Sequence, residues 1–460
     1  MENIKEKASY CLNCKVKPCS VKGCPLNNNI PAFIEKVKEE NVIEAYKILS
    51  ETTVLPGVCG RICPHFKQCQ GSCVRGIKGE PVNIGELEAY VFDKATEQGF
   101  TLKDCFKEIV ENNNTINQDN NNSENCKNNT KLQEIDNTKK VAIIGGGPAG
   151  LTCAAFLTKK GVQVTIYEKY DYLGGLLVHG IPEFRLSREV INKTIKMILD
   201  LGISVKYNAE LGKNIQLQDL QQHYDAVFLS FGANVSSKMG VEGEDLQGVF
   251  GGNELLEYNL HPNYKGKIAC VVGGGNVAMD CARTIKRLGA KEVKVIYRRS
   301  REEMPAETKE IEDAINEGIE FLYQNNIVRI IGDKIQVGNS SSKVSETIEK
   351  EKVKQIELIK TELIQKEGET RKVPVNIEKS NYIINADYVV MALGSKPQNI
   401  VNSLGLELDK WQYIKVNENY QTSNPKIFAG GDLAGTKSTV AWAAKTGREA
   451  ANSIERFLNI

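Results

Sequence analysis

Residues 139–169 read KKVAIIGGGPAGLTCAAFLTKKGVQVTIYEK and carry the strongest structural signal in the chain. A β-branched apolar run ends in glycines, a helical segment follows, and a second β-branched run closes the unit. This order is typical of a βαβ unit, in which two parallel strands are joined by a helix. We therefore predict an α/β fold with parallel sheets from residue 139 onward.

The turn in this unit has the spacing Gly145-x-Gly147-x-x-Gly150. The first glycine allows a tight turn, the second lets the backbone approach a pyrophosphate, and the third permits close packing of helix on strand. The N-terminus of the following helix favours phosphate charge. Glu168, at the end of the second strand, is placed to accept hydrogen bonds from ribose hydroxyls. The combination predicts dinucleotide binding, with a purely structural glycine turn as the alternative.

A second unit, residues 266–299, repeats this pattern as GKIACVVGGGNVAMDCARTIKRLGAKEVKVIYRR. Its turn is Gly273-x-Gly275-x-x-Ala278, in which alanine is a tolerated third residue. The repeat predicts a second dinucleotide-binding domain.

The two units differ in the residue that would face the ribose. Aligning them places Arg298 where Glu168 stands, and Arg299 follows. A carboxylate would repel a 2′-phosphate, whereas arginine can pair with it through two hydrogen bonds. This favours NADP over NAD at the second site. The alternative is a solvated basic strand end, because Lys291 and Arg301 are close in sequence.

Two dinucleotide folds in one chain are most simply explained by FAD in the first and NADPH in the second. The stretch FAGGDLAG, residues 428–435, supports FAD at the first site. A strand ending in Asp432 is suited to reach a flavin ribityl hydroxyl, and the helix from about Ser438 can aim its N-terminus at the isoalloxazine. On the motif alone, Asp432 could instead be only a helix N-cap.

Composition divides the chain into blocks. A cysteine-rich block with helical periodicity is followed by an Asn-rich stretch that cannot bury enough apolar surface to order itself. The second nucleotide unit interrupts the first, whose sheet the C-terminus would complete. We predict a helical domain (1–111), a linker or disordered insertion (112–138), an FAD domain (139–250 and 390–460) and an inserted NADPH domain (251–389).

Composition and charge limit the function classes. The formal net charge of +1 gives no indication of nucleic acid or an anionic membrane as a partner. The start, MENIKEKASY, lacks an apolar signal core, and no stretch of about 18 residues is continuously apolar. We expect a cytoplasmic protein, in which clustered cysteines more often bind metal than form disulfides.

Eight of the 13 cysteines fall within the first 73 residues. Their spacings are C-x2-C-x4-C-x4-C-P from Cys11 and C-x3-C-P-x4-C-x3-C from Cys59. Cysteine runs with a following proline favour iron–sulfur clusters. Tetrahedral zinc is the alternative, but only Cys11 and Cys14 have the CxxC spacing that zinc sites commonly use.

Several motifs in one order resemble a known family. VAIIGGGPAGLTCAA, GGLLVHGIPEFRL, VVGGGNVAMDCAR, YRRSREEMPA and FAGGDLAGTKSTVAWA resemble the FAD- and NADPH-binding small (beta) subunit of bacterial glutamate synthase. The resemblance extends to the large subunit of the electron-bifurcating NADH-dependent ferredoxin:NADP⁺ oxidoreductase and to the N-terminal half of dihydropyrimidine dehydrogenase. LPGVCGRICPHFKQCQGSCVRGIKGEPVNIGELE is most similar to the bifurcating large subunit.

The resemblance implies an α-helical domain with two 4Fe–4S clusters, followed by two Rossmann-like domains of the disulfide-reductase type. It also implies a non-cysteine ligand at Glu88, for which a solvated helix carboxylate is the alternative. Cys59 is then spare, a packed neighbour. The implied ligands are Cys11, Cys14, Cys19 and Glu88 for one cluster, and Cys24, Cys63, Cys69 and Cys73 for the other.

Further cofactor-binding residues follow from the motifs and the resemblance. Arg185 is a candidate for charge near the flavin ring, and a surface salt bridge is its equally weighted alternative. For FAD we expect Gly145, Gly147, Pro148, Ala149, Gly150, Glu168, Lys169, Gly174, Gly175, Leu176, Arg185, Gly232, Gly394, Gly431, Asp432, Thr439 and Val440. For NADP(H) we expect Gly273, Gly275, Asn276, Val277, Ala278, Arg298 and Arg299.

The predicted function is hydride exchange between NADP(H) and FAD, with single electrons passing through two 4Fe–4S clusters. The resemblance implies a hetero-oligomer with a small flavin subunit, with ferredoxin as electron carrier and the bifurcating oxidoreductase as the assembly. The first alternative is delivery of electrons to the large glutamate synthase subunit. An alternative of another class is a scaffold whose cysteines bind structural zinc.

Overall fold

A computed structural model of the protein describes residues 4–106, 139–338, 347–366, 368 and 371–460. The predicted linker, 112–138, lies outside the described residues. The chain forms two compact units. Unit 1 comprises Met1–Val178, Glu183–Ala233 and Pro397–Ile460, and unit 2 comprises His179–Pro182 and Asn234–Lys396.

Helices and strands alternate from residue 140 onward, after a helical N-terminal part. Among the described residues, no helix is both long and apolar enough to cross a membrane. The helices named below are α1 (Ile4–Ser9), α2 (Ile30–Lys38), α3 (Val42–Ser50), α4 (Pro56–Ile62), α5 (Ile84–Glu97), α6 (Pro148–Thr158), α7 (Leu176–His179), α8 (Arg188–Leu199), α9 (Leu217–His223), α10 (Gly252–Glu257), α11 (Asn276–Arg287), α12 (Thr308–Asn316) and α13 (Val440–Leu458). The strands are β1 (Lys140–Ile144), β2 (Gln163–Tyr167), β3 (Ser204–Lys206), β4 (Ala226–Leu229), β5 (Val235–Ser236), β6 (Val249–Gly251), β7 (Ile268–Val272), β8 (Glu292–Tyr297), β9 (Glu320–Tyr323), β10 (Asn325–Gly338), β11 (Thr347–Ile364), β12 (Val373–Asn376), β13 (Tyr382–Asn385), β14 (Tyr388–Met391), β15 (Ser395–Lys396) and β16 (Ile427–Ala429).

The N-terminal part of unit 1 is built on helices that begin at asparagine caps. The Asn41 side chain accepts a hydrogen bond from the Glu44 N–H at the start of α3, and Asn83 caps α5 in the same way. Helices α4 and α5 pack closely because α4 presents glycine: a Cβ on Gly60 would lie 2.5 Å from the Ala89 nitrogen. This close approach brings the end of α4 beside the first turns of α5.

The rest of unit 1 is a parallel sheet covered by helices. Its strand order is β16-β4-β1-β2-β3, so the C-terminal part of the chain completes the sheet beside β4. Helix α6 is buried along nearly its whole length and packs against α13. Because the carboxyl ends of parallel strands share one edge, the loops after β1, β2 and β16 meet there.

Unit 2 has a parallel sheet of its own, with strand order β6-β14-β7-β8-β9, and an antiparallel sheet of β10, β11, β12 and β13. Strands β6 and β14 both pair with their neighbours in the parallel sheet. The predicted domain boundaries at 250/251 and 389/390 therefore differ from the structure, which places 234–250 and 390–396 in unit 2. The reason is that β14 pairs with both β6 and β7 in the sheet of unit 2. No local sequence pattern reveals these long-range pairings. The α/β fold itself, with two Rossmann-like sheets, is confirmed.

Replacing Gly447 with alanine should destabilise unit 1, because a Cβ there would lie 2.1 Å from the Ala149 carbonyl oxygen. We expect a loss of about 1–3 kcal/mol in the free energy of unfolding, as for other overpacked sites. Urea unfolding of the full chain measures it. Asn452→Ala, on the exposed face of the same helix, is the matched control and should be neutral or slightly stabilising. Equal stability of the two variants would contradict the close packing.

Candidate cofactor sites

The first glycine turn follows β1 and opens α6. Gly145 has φ +100°, and a Cβ on Gly150 would lie 2.0 Å from the Gly145 carbonyl oxygen. Both positions therefore require glycine. A Cβ on Gly147 would meet only the Gly175 Cα, at 3.9 Å, so the backbone of Gly147 is open for a ligand to approach. The turn fits the pyrophosphate role predicted for it.

Glu168 lies at the end of β2 and is held against this turn. Its carboxylate accepts hydrogen bonds from the Gly146 N–H at 2.8 Å and the Tyr170 N–H at 3.0 Å. Burial raises the pKa of Glu168, and these backbone donors partly oppose the increase. The side chain that would accept ribose hydroxyls is thus fixed before any nucleotide binds. Lys169, the next candidate, lies with its ammonium 4.5 Å from the Tyr170 ring centre.

A second loop backs onto the first turn. The Gly174 N–H donates to the Gly146 carbonyl at 2.9 Å, and a Cβ on Gly175 would lie 3.0 Å from the Gly147 Cα. Both glycines have positive φ. The structure therefore brings the two predicted FAD-contact loops together, and Leu176 then begins α7.

Asp432 lies in the loop between β16 and α13. Burial raises its pKa to about 6, and a long hydrogen bond from the Thr436 hydroxyl, 3.5 Å, opposes this. The preceding Gly431 has φ +66° and donates its N–H to the Thr446 hydroxyl at 2.7 Å. Thr439, not Asp432, caps α13 by accepting from the Trp442 N–H. The N-cap alternative for Asp432 is therefore wrong, which leaves this carboxylate available for a ligand.

Three other candidates of the FAD set are less closely tied to this edge. Gly232 follows β4 with φ +78°, and Arg185 is half-buried between α7 and α8. Gly394 belongs to unit 2, where the next two residues, β15, pair with β5. The chain returns to unit 1 only after Lys396, and a contact of Gly394 with FAD stays a prediction.

The second glycine turn, in unit 2, follows β7 and opens α11. Gly273 has φ +142°, and its Cβ would lie 2.2 Å from the Ala392 carbonyl oxygen. Gly275 is open, with the nearest atom of Pro305 at 4.0 Å from an added Cβ. The Asn276 side chain accepts from the Glu307 N–H at 3.0 Å. This turn has the same open middle glycine as the first one.

Arg298 and Arg299 follow β8 directly. Arg298 is exposed, whereas Arg299 is half-buried. The Nη1 atom of Arg299 is buried and has no hydrogen-bond partner within the described residues. A buried guanidinium nitrogen without an acceptor fits a missing anionic ligand such as a 2′-phosphate.

Cys11, Cys14, Cys19 and Cys73 line one cavity in the N-terminal part of unit 1. Burial raises the pKa of Cys19 to about 11, and the charges of Cys73 and Cys11 add to the increase. The predicted pairing of Cys73 with the second set is therefore wrong. Cys73 precedes a short 3-10 turn that lies against the first cysteine loop, so it joins the first three cysteines.

Glu88 lies instead among the remaining thiols. Its neighbours include Cys24, Cys63 and Cys69, and its charge raises the pKa of each of them, after larger contributions from burial and nearby groups. Glu88 is 6% exposed, so the solvated-carboxylate alternative is wrong. Burial raises its pKa to about 8.

The group formed by Cys24, Cys63, Cys69 and Glu88, called the inner group below, has donor atoms that fit an iron–sulfur cluster. Apart from a long hydrogen bond from the Asn28 amide, 3.4 Å, no other donor to the Glu88 carboxylate is present in the described part of the chain, so a bound metal would offset its burial. Cys59 is buried and hydrogen-bonded to Cys63, so a fifth sulfur lies beside the four predicted ligands of this group. In the described ranges, no three His, Cys, Asp or Glu side chains are arranged to hold a single ion. A four-iron cluster is a larger body with one ligand per iron, and two groups of four match its donor set.

Two contacts between the cysteine-rich part and α13 were not predicted. The Arg448 guanidinium donates to the Leu26 carbonyl at 2.8 Å and the Thr52 carbonyl at 2.7 Å. The Gln68 amide lies 3.5 Å from the Thr439 hydroxyl. The only signal in the sequence was an arginine within the alanine-rich run of α13. These contacts place the second cysteine loop beside the helix that begins after Asp432.

Comparisons with known proteins identify the class. Residues 139–450 match the family model described as pyridine nucleotide-disulphide oxidoreductase. Residues 1–100 match the model described as dihydropyrimidine dehydrogenase domain II, 4Fe-4S cluster. The protein is therefore a pyridine nucleotide-disulphide oxidoreductase that carries an iron–sulfur domain at its N-terminal side.

Relatives over the whole chain define the family more narrowly. The glutamate synthase [NADPH] small chain of Escherichia coli is 35% identical over 476 residues, covering 99% of this chain and 92% of the relative. The NADP(+)-dependent formate dehydrogenase subunit beta of Moorella thermoacetica is 35% identical over 96% of this chain and 60% of the relative. The NADPH-Fe(3+) oxidoreductase subunit beta of Geobacter sulfurreducens is 34% identical over 96% of this chain and 63% of the relative. The chain belongs to the glutamate synthase small-chain family, which confirms the resemblance to that family, while the closer similarity to the bifurcating large subunit stays a prediction.

Solved structures agree on the fold. FprA of Mycobacterium tuberculosis in complex with NADPH superposes with a TM-score of 0.60 at 20% identity, over 70% of this chain and 84% of that one. The thioredoxin reductase of T. acidophilum gives 0.51 at 20% identity, over 70% and 100%. The family confirms FAD, NADP(H) and 4Fe–4S clusters as the cofactors of an NADP(H)-dependent oxidoreductase.

The revised cysteine pairing predicts a pattern of iron loss. Cys11→Ala, Cys73→Ala and the double variant should each keep about four of about eight irons, because all three changes affect one four-iron cluster. Cys24→Ala combined with Cys73→Ala should lose nearly all iron. Colorimetric iron and sulfide assays measure this, and Cys105→Ala, a buried cysteine outside both groups, is the control. Loss of both clusters in the Cys11→Ala/Cys73→Ala variant would contradict the pairing.

Asp432 should make the stability of the flavin-free protein depend on pH. Its folded pKa of about 6 lies above the ordinary value, so the folded state binds the proton more tightly than the unfolded state does. The corresponding stability is present below about pH 4 and is lost as the pH rises through about 6. Urea unfolding across this range, with Asp432→Asn as the comparison, measures the effect. An unchanged pH dependence in the variant would show that other groups cause it.

Proposed function

We propose that this chain is the NADPH-linked electron-input subunit of a larger flavin iron–sulfur oxidoreductase. The observation that carries the proposal is the connection within unit 1: Arg448 and Gln68 join the cysteine-rich part to α13, the helix that follows Asp432. When bound, FAD would exchange a hydride with NADP(H), and the clusters would transfer electrons singly.

The residues of unit 1 would bind and orient the flavin nucleotide. The open backbone at Gly147 and the N-terminus of α6 would bind the pyrophosphate. The Glu168 carboxylate would accept hydrogen bonds from the ribose hydroxyls. Asp432 would accept a hydrogen bond from a ribityl hydroxyl, and Arg185 would place positive charge near the flavin ring. No side chain is required as an acid or base for hydride transfer, because the cofactor supplies that chemistry.

The inner ligands proposed are Cys24, Cys63, Cys69 and Glu88, and the outer ones are Cys11, Cys14, Cys19 and Cys73. The inner group contains the loop of Gln68, which contacts Thr439 at the start of α13. An electron leaving the flavin would therefore reach the inner group first.

We propose further that the assembly is the electron-bifurcating ferredoxin:NADP⁺ oxidoreductase, with a small flavin subunit and ferredoxin as partners. The resemblance of residues 55–88 to its large subunit supports this. Delivery of electrons to the large glutamate synthase subunit is the second candidate, and the 92% coverage of the E. coli small chain supports it. Isolation of the native complex discriminates between them, since only the large glutamate synthase subunit would consume glutamine.

Titration of the purified holoprotein with reduced nucleotide tests the proposed function. NADPH should bleach the flavin and then reduce the clusters, whereas NADH should do so much less effectively. Arg298→Ala and Arg299→Ala should each raise the KM for NADPH about tenfold or more, because the 2′-phosphate loses a guanidinium partner. The KM for NADH should stay nearly unchanged, because NADH has no 2′-phosphate.

Arg301→Ala is the matched control, since this exposed arginine only approaches Glu312 at 3.9 Å. An equal rise of the KM for NADPH in all three variants would indicate a general charge effect. Flavin reduction by NADPH without any cluster reduction would contradict the proposed electron transfer from the flavin to the clusters.

A further inference from the structure

The loops around the outer cysteine group expose large apolar side chains. Val16 is 80% exposed, Ile77 76%, Leu12 50% and Val74 39%. Leu12 and Val74 also line the cavity that the four outer cysteines share. Such exposure is costly in water, and apolar side chains grouped at one place are typical of an interaction site.

The same two loops are strongly basic. Residues 10–24 and 73–79 contain five lysines and arginines and no aspartate or glutamate. Arg75 is fixed, with its guanidinium 4.2 Å from the Tyr10 ring centre and its Nε donating to the Tyr10 carbonyl at 2.9 Å. Three lysines of these loops are exposed and form no ion pair within the described residues: Lys15, Lys22 and Lys78.

The exposed apolar side chains and the surrounding lysines together indicate which kind of partner this surface would bind. A second copy of this chain would bring equal positive charges face to face, which is unfavourable. An anionic membrane would offer no electron acceptor, and the apolar residues stand on two short loops rather than on one amphipathic helix. An acidic protein satisfies both the charge and the apolar contact.

We propose that this surface, formed by Leu12, Val16, Val74 and Ile77 and rimmed by Lys15, Lys22 and Lys78, is the docking face for an acidic one-electron carrier protein. The proposal rests on the proposed function, since the outer group must hold a cluster for the electron to leave there. The step balances because oxidation of one NADPH to NADP⁺ and one proton releases two electrons, and each carrier that docks at this face accepts one of them.

Binding of a bacterial 2[4Fe–4S] ferredoxin to the holoprotein tests the charge component. Titration calorimetry at about 20 mM and about 300 mM salt should show affinity that falls as salt screens the rim. The variant Lys15→Glu/Lys22→Glu/Lys78→Glu should bind at least about tenfold more weakly at low salt and lose the salt dependence. The matched control, Lys366→Glu/Lys372→Glu/Lys379→Glu, makes the same charge change on exposed lysines of unit 2.

A second pair of variants tests the apolar component. Ile77→Gln should weaken binding about threefold or more at both salt concentrations, because it removes a contact rather than a charge. Ile383→Gln, at a 51% exposed isoleucine of unit 2, should have no effect. Both positions are exposed, so neither change is expected to unfold the chain.

The outcomes separate this proposal from the proposed function. Equal weakening by the two lysine triples, salt-independent binding, or an unaffected Lys15→Glu/Lys22→Glu/Lys78→Glu variant would each overturn the docking face. Binding to anionic phosphatidylserine vesicles, or dimerisation, that the same variant abolishes while ferredoxin binding persists would overturn it too. Clusters that NADPH does not reduce, in a protein that still binds ferredoxin through this face, would contradict the relay and leave the docking face supported.

Discussion

The contact between α6 and α13 is the constraint on which unit 1 depends. The absence of a side chain at Gly447 lets α13 approach the Ala149 carbonyl, where a Cβ would lie only 2.1 Å away. The adjacent Arg448 reaches the opposite way, to the Leu26 and Thr52 carbonyls. One turn of α13 thus positions both α6, the helix proposed to bind the pyrophosphate, and the segments at Leu26 and Thr52, which lie next to the inner cysteine group in sequence. Displacing α13 would disturb both sites at once.

The environment of Glu88 supports the proposal that the inner group holds a metal cluster. Its carboxylate is buried among thiols, and burial raises its pKa to about 8. Without metal, the group is most stable when the carboxyl and the thiols hold their protons, since several negative charges in a small apolar space repel one another. A bound cluster would replace those protons with iron, so its binding would be coupled to proton release. Cys59, hydrogen-bonded to Cys63, adds a sulfur donor within the same environment.

Features formed by residues close together in sequence could be predicted, whereas features formed by residues far apart in sequence could not. The glycine turns, Glu168 and the parallel strands were predictable because their patterns are local, within about 30 residues. The pairing of Cys73 with Cys11 was missed because it depends on contacts between the turn after Cys73 and the first cysteine loop, such as the hydrogen bond from Arg75 to the Tyr10 carbonyl, and sequence spacing does not report these long-range contacts. The boundary at 389/390 failed for a similar reason: β14 pairs with β7, more than 100 residues earlier. Arg448 gave almost no signal, because an arginine in a long helix is usually solvated.

The two nucleotide units reuse one scaffold with different tolerances. In unit 1 a Cβ at Gly150 would lie 2.0 Å from the Gly145 carbonyl oxygen, so the helix must approach the turn closely. In unit 2 the equivalent position is Ala278, fully buried, so the turn of unit 2 leaves room for a methyl group at this position. The ribose position changes as well, from a carboxylate already bonded to the turn to arginines that follow β8. The buried guanidinium nitrogen of Arg299 has no acceptor within the described residues and would gain one from a 2′-phosphate, so this contact would favour NADP(H) over NAD(H).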